Sequence, residues 1–513
     1  MLLVSVVVKN RHVIRRTFVY VLYQQLPLKK QQEVIMGDSH SFKATSNGET
    51  TVQIGNHEGI QTPFFAPEIK NWHYDLHVTL DYREVMDDNN PVLVPAWDWP
   101  RLREKNAILQ RNGEDGETVI GGKEVRELEE NHPLVHFFPP ELFAFRGKTN
   151  ILRTYLLKRD TEAKSEFKTA LRDGNVETAL EQIPEFTRPF VRSNFNPILS
   201  DFGLQKGTVE DSGEDPAEIW KNIPDSRYDS FFGQIADEAM NSPSAVVIPP
   251  VPLIRQYDSD LITAACEANS RMAELARSDG EPRSFYHLYL HYTAFSDGNG
   301  DEADTASRAL KILRSEVESG EYAGIAVTIY KGEEVFESST SPRVGTFFRN
   351  LSSFAEEQKL PVLCPRSEWL GFWATDFEID GFSSLYNGNW VYRSGGGVDD
   401  VDRYGYTMVP TESRSLKLRS NSGTDIEDHI AKGGLSGLDE LPDTPPSPPA
   451  DYEPDNELQS KYGTSFYYRR HFGKPQKLNH IWEARQVRSG NDLSARDRLE
   501  NSENEYVEFE NEP

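Results

Sequence analysis

Cysteine is nearly absent from this 513-residue chain, with Cys266 and Cys364 its two examples. One falls inside an expected helix and the other at an expected strand end, far apart in sequence. That excludes a disulfide framework and a cysteine-rich zinc site, and it makes a reducing cytoplasm the default compartment. The 12 histidines do not cluster at ligand spacing, so neither metal nor cofactor is expected. Long apolar runs are missing too. Residues 2–8 and 18–23 are too short, and too interrupted by cations, to span a bilayer, and no membrane partner is expected. Positive charge is scarce: 55 Lys and Arg face 82 Asp and Glu, for a net charge of −27. Such a balance keeps a protein soluble and repels polyanions at low salt. It also suits a high-salt cytoplasm, where screening shortens surface interactions to a few ångströms, and it does not by itself exclude nucleic acid.

The first 35 residues break the acidic pattern. Lys9, Arg11, Arg15, Arg16, Lys29 and Lys30 oppose the single acid Glu33, which reads as a non-native or targeting-like extension, with Met36 as the expected start. From there to residue 420 the chain is long enough for one elaborated domain. Apolar runs centred on Phe64 and Val92 read as its first strands. A charged, helix-rich stretch at about 129–190 reads as an insertion. After residue 201 strands are expected at 245–253, 285–291, 322–329, 361–364 and 382–386. Helices are expected between them, the first capped at Asp258 or Ser259, the next beginning at Asp304, and the third capped at Ser341 with Pro342 behind it. Near-continuous apolar strands alternating with amphipathic helices indicate a parallel sheet covered on both faces. With a third strand centred on Ile198, the count reaches eight. The expected fold is therefore α/β, a (β/α)8 TIM-like barrel with a helical insertion and no zinc subdomain, and an open doubly wound sheet is the alternative.

In such a barrel chemistry gathers at strand carboxyl ends, which would bring Asp98, Asp201, His291, Tyr330, Arg366 and Tyr386 to one face. The informative stretch is 196–205, Asn-Pro-Ile-Leu-Ser-Asp-Phe-Gly-Leu-Gln. Ile198 and Leu199 are strand formers, and Gly203 supplies backbone freedom for a sharp exit. Asp201 would then stand at a strand end, although an Asp in an ordinary turn fits the same residues. A kinase Asp-Phe-Gly is excluded, because no Gly-rich loop, strand lysine or His-Arg-Asp loop precedes it in order.

The order of these segments resembles the tRNA-guanine transglycosylase superfamily, including relatives that insert 7-deazaguanine bases into DNA. Gly-Ile-Gln-Thr-Pro-Phe-Phe-Ala-Pro at 59–67 is similar to that family's opening strand. Pro-Ile-Leu-Ser-Asp-Phe-Gly-Leu-Gln at 197–205 is similar to its Pro-Ile-Leu-Thr-Asp-Ser-Gly-Gly-Phe-Gln, and Ile-Asp-Gly-Phe-Ser at 379–383 to its Val-Asp-x-Phe-Asp. The resemblance implies base exchange in DNA or tRNA: a carboxylate attacks the sugar C1′, guanine leaves and a purine or 7-deazapurine replaces it. It implies Asp201 as the proton-handling acid. Ser383 occupies the nucleophile's place in the ungapped register, whereas one added residue puts Asp380 there and Asp376 at the first acid. Asp98, Gly203, Gln205, His291, Ser383 and Tyr386 are the implied substrate-binding residues. The family's zinc cluster has no counterpart. The alternative reading is a barrel that keeps the fold without catalysis and serves in nucleic-acid binding or subunit pairing, a homodimer included.

Residues 421–460 are acidic and rich in Pro, Gly and Ser, as in an extended linker. Residues 461–490 interleave cations with aromatics and end in a helix-like stretch. Tyr467, Tyr468, Arg469, Arg470 and Lys474 are the expected nucleic-acid contacts there, and 491–513 is an acidic tail.

Overall fold

The computed structural model describes residues 43–46, 49–69, 90–96, 99, 103, 109–113, 116–120, 122–138, 141–145, 161–205, 207–242, 245–296, 304–317, 321–332, 335, 341–367, 370–371, 374–384, 404–409 and 414–419. All of them belong to a unit spanning Phe42–Pro513. The expectations for 1–35, for the 421–460 linker, for 461–490 and for the 491–513 tail lie outside the described residues.

Three antiparallel strands, β1 (Lys43–Ser46), β2 (Glu49–Ile54) and β3 (His57–Gln61), come first. Gly55, at φ 61°, opens the turn between β2 and β3, a conformation that glycine adopts without a Cβ clash. The run centred on Phe64 forms a strand of its own: after β3 the chain restarts as β4 (Phe64–Pro67), buried throughout. Next come β5 (Val92–Pro95), the hairpin β6 (Leu109–Gly113) and β7 (Gly116–Ile120), and β8 (Leu134–Phe137). β6 and β7 pair antiparallel, Leu109 with Ile120 through Gly113 with Gly116.

Beyond a helical segment follow β9 (Val246–Ile248), the two-residue pair β10 (Arg277–Ser278) and β11 (Glu281–Pro282), β12 (Phe285–His291), β13 (Gly324–Tyr330), β14 (Val362–Cys364) and β15 (Gly381–Ser384). A last hairpin joins β16 (Tyr404–Val409) to β17 (Arg414–Arg419). One parallel sheet has the order β12-β13-β14-β15-β4 and another β5-β8-β9. Isolated parallel bridges join their edges, Glu68 with Leu93 on one side and Val247 with Ser284 on the other. The fold is thus mixed α/β with parallel sheets.

The helices between the strands start where the sequence signals them. Asp258 accepts from the N–H groups of Asp260 and Leu261 at 3.1 Å and caps the Ser259–Leu275 helix. Asp304 does the same for Thr305–Glu316 through Ser307, and the Ser341–Gln358 helix buries Val344, Phe347, Phe348, Leu351 and Phe354. The two faces of the five-stranded sheet bury different partners. Phe285, Tyr289, Ala326, Tyr330 and Leu363 join one core with Phe64 and Phe137, while Tyr286, Leu288, Ile325 and Val362 pack with Leu310, Phe347 and Leu351 of the helices.

The third parallel strand is Leu134–Phe137, which pairs with β5 and β9, and not the Ile198 run. Residues Phe195–Asp201 form a helix. Pro197 sits in its first turn, where no intrahelical acceptor exists for an N–H. Ile198 and Leu199 bury against Phe167, Leu171, Leu180 and Phe195 in a separate helical core. Tertiary packing decides the state of so short an apolar pair.

Candidate functional site

The inward parity of the parallel strands carries polar and aromatic groups toward their carboxyl ends. Glu68 lies just past β4 and Arg366 just past β14, with side chains only 5% and 4% exposed. Arg366 Nε stands 2.9 Å from both carboxylate oxygens, and Nη2 also contacts Oε1. The guanidinium lies 5.2 Å from the centre of the Phe137 ring, and the Arg366 N–H donates to Ser383 Oγ at 2.9 Å. Arg366 has φ 52° and Lys331, just past β13, φ 56°. Left-handed backbone at two non-glycine residues costs free energy, and such strain concentrates at functional sites.

Deeper in the same interior, His287 is fully buried between the Phe137 ring, 6.0 Å away, and the stacked Tyr289 ring at 6.1 Å. Its Nδ1 lies 2.7 Å from the Pro249 carbonyl oxygen and its Nε2 2.9 Å from Thr328 Oγ1. A carbonyl only accepts, so Nδ1 carries the proton and Nε2 accepts from the Thr328 hydroxyl. Burial pushes this imidazole down to about 4, so it is neutral near pH 7. A hydroxyl donating to an imidazole that a third group orients is the arrangement that activates nucleophiles.

Toward the rim the rings continue. Tyr330 lies 4.6 Å from Phe145 and 5.2 Å from His291, and His291 lies 4.8 Å from Tyr292. Two cations flank the row, Arg255 at 5.8 Å from the Phe145 centroid and Lys331 at 6.0 Å from that of Tyr292. His291, half-buried, is pushed down to about 4, first by burial and then by the charges of Arg255 and Lys331. Locally, the field is positive on a chain of net charge −27.

The sequence-predicted residues separate into groups. His291 and Ser383 do reach the carboxyl-end face, and Arg366 and Tyr330 join them there. Asp380 does not. It immediately precedes β15, at the strand's amino end, where its buried carboxylate pairs with Lys43 at 2.9 Å and accepts from the Val362 N–H at 2.8 Å. A register that starts the strand at Gly381 puts Ser383, and not Asp380, toward the carboxyl end. Asp376 lies in the Thr375–Phe377 turn ahead of the same strand. Asp201 ends a helix and not a strand, and exposed Gly203, at φ 68°, and exposed Gln205 follow that helix. Asp98, Tyr386, Tyr467, Tyr468, Arg469, Arg470 and Lys474 lie outside the described residues. Sequence reasoning missed Glu68, His287, Thr328 and Phe145. Three of these were open to a parity argument, since Glu68 keeps step with Phe64 and Ala66, His287 with His291, and Thr328 with Tyr330.

Among the described residues no three His, Cys, Asp or Glu side chains converge as a metal site requires. Both cysteines are free, Cys364 buried and Cys266 partly so. No helix among the described residues is long and apolar enough to cross a membrane. No protein-family model matches this sequence, and no curated protein matches it.

Proposed function

We propose that the chain is a cytoplasmic (β/α)8 barrel whose carboxyl-end face binds a nucleobase of DNA or tRNA, with the adjoining phosphate at the rim. It is the non-catalytic counterpart of the transglycosylase-like reading. The barrel is supported by the neighbour relations β4-β5-β8-β9-β12-β13-β14-β15 and back to β4, all parallel and made through ladders and two bridges. Binding rests on one observation: the ring row Phe145, Tyr330, His291 and Tyr292 is flanked by Arg255 and Lys331 on an otherwise anionic chain. Ring faces stack on any base, and cations meet phosphates.

Exchange chemistry needs two carboxyl groups about 5 Å apart. The carboxylate that the described strand ends turn inward is Glu68, and Arg366 holds both its oxygens. A carboxylate so engaged positions loops and is a poor nucleophile.

Titration of the protein with a guanine-containing single-stranded oligonucleotide, followed by fluorescence, tests the reading. Tyr292→Leu, at a ring that is only partly buried, should weaken binding by about 1–3 kcal/mol, the worth of one stacked base. Arg255→Ala should reduce the salt slope by about 0.7, the loss of one phosphate contact to a single strand. Incorporation of labelled guanine into DNA or tRNA would overturn the non-catalytic reading and restore base exchange.

A further inference from the structure

His291 ends β12 at the rim, and its side chain is held in one orientation. Its backbone N–H donates to Ile254 O at 2.9 Å, which ties the strand end to the exposed residues Arg255, Gln256 and Tyr257. The ring caps the short 3-10 helix Tyr292–Phe295: Nδ1 accepts from the Thr293 N–H at 3.3 Å, and Thr293 Oγ1 lies 2.7 Å from the same nitrogen. A backbone N–H only donates, so Nδ1 is bare and the proton of the neutral ring sits on Nε2. This is the opposite tautomer to that of His287. Burial and the charges of Arg255 and Lys331 lower the ring's proton affinity, so near pH 7 Nε2 is an uncharged donor.

The described residues give this donor no acceptor. Unlike the ring nitrogens of His136, which are buried without partners, Nε2 belongs to a partly exposed ring, beside the partly exposed ring of Tyr292 at 4.8 Å. Its surroundings are poor in acceptors as well. Arg255 and Lys331 are cations, no acid is among the charges that act on the ring, and the Glu68 carboxylate is held by Arg366. A base edge that presents N–H groups here would lose water without gaining an acceptor. Adenine and cytosine carry an amino group on the major-groove edge, and thymine a methyl group beside one acceptor. Guanine sets N7 and O6 side by side, two acceptors with no donor between them.

We propose that His291 is the specificity-determining residue of the carboxyl-end face, its Nε2–H donating to N7 of guanine. The proposal rests on the base-binding reading and adds which base is held and by which edge. The cations serve the phosphates, which carry no sequence information, and the neutral imidazole serves the base. Because the ring is fixed by its own cap, little side-chain freedom is lost when the base arrives.

Fluorescence titration of the full chain with four single-stranded oligonucleotides tests this. They are thymine strands that differ at one central position: guanine, 7-deazaguanine, adenine or thymine. The deaza base puts a C–H where N7 was and keeps O6 and the whole stacking face. Wild type should bind the guanine strand about threefold to tenfold more tightly than the 7-deazaguanine strand, the worth of one hydrogen bond, and more tightly than the adenine strand. His291→Asn keeps a cap acceptor for the Thr293 N–H and is too short to reach N7, so it should bind the guanine and 7-deazaguanine strands alike. His291→Phe keeps a ring without an N–H and should do the same, which covers a failure of either variant to fold. A loss of the cap alone would weaken all four strands equally and leave the guanine preference intact. Wild type that binds the guanine and 7-deazaguanine strands equally, or a preference that survives in the variants, would overturn the proposal and leave the base-binding reading standing. Wild type that binds none of the four strands would overturn both.

Discussion

Replacing Glu68 by Gln keeps the side chain's shape and removes the charge that Arg366 faces. Both groups are at most 5% exposed, so the guanidinium would be left buried with an amide oxygen in place of a carboxylate. The guanidinium also faces the Phe137 ring at 5.2 Å, and the Arg366 backbone is tied to Ser383. Removing one partner of a buried pair costs about 3–5 kcal/mol, because the surviving charge stays buried without the counter-charge it was paired with. Arg366→Met removes the cation and should cost a similar amount, since Glu68 is then unpaired. The double variant Glu68→Gln/Arg366→Met leaves no orphan charge and should lose less than the two single variants together. Their coupling should lie at about 0.5–3 kcal/mol. Urea unfolding of the four proteins, followed by tryptophan fluorescence, measures the cycle. In the strand order β14-β15-β4 the pair reaches across β15, so the loss should also weaken oligonucleotide binding. A Glu68→Gln protein within about 0.5 kcal/mol of wild type, the usual range of a surface change, would refute the argument that this pair braces the carboxyl-end face.

Three further outcomes are expected. His287 and His136 are buried and neutral, pushed by burial to about 4 and about 3 from 6.5. The unfolded chain therefore binds protons that the folded chain refuses: stability is complete above pH 6.5 and is lost as pH falls toward 4, by up to about 1.4 kcal/mol per pH unit for each histidine. His287→Gln should flatten this acid limb, and an unchanged limb between pH 7 and 4 would contradict the assignment. A Cβ at Gly381 would meet the Phe64 ring at 2.2 Å, so Gly381→Ala should cost about 1–3 kcal/mol. Phe64→Leu should return part of that, and additive losses would argue against the contact. Asp380→Asn, which breaks the buried pair with Lys43, should cost about 3–5 kcal/mol and leave oligonucleotide affinity unchanged. A loss of affinity would place the ligand at the amino ends.

Much of the fold was legible because helix signals are local. Asp258, one of the two caps the sequence offers, and Asp304 start their helices as expected, and seven of the eight parallel strands fall on apolar runs that the pattern marks. The third strand was not legible. Leu134-Val-His-Phe is four residues long and carries His136, whose ring nitrogens are buried without partners. A polar residue in so short a run conceals a strand. Ile198 and Leu199 look like strand, but a Pro in the first turn and an apolar helical bed make them helix. The site was half legible for a related reason. Residues at strand ends, such as His291 and Arg366, follow from counting elements. Asp380 required the register of β15 against β4 to within one residue, and composition carries no such information. Glu68 and Arg366, 298 residues apart, meet only through strand order.

The central claim is that a base occupies the carboxyl-end face, and photocrosslinking locates it directly. A single-stranded oligonucleotide carrying one 6-thioguanine is irradiated with the full chain, and the modified peptides are mapped by mass spectrometry. The adduct is expected on peptides containing Phe145, residues 249–257, residues 291–293 or residues 330–331, and Tyr292→Leu should diminish it. Adducts confined to the 43–61 strands or to the helical stretch 161–201, at full yield in the Tyr292→Leu protein, would contradict the account.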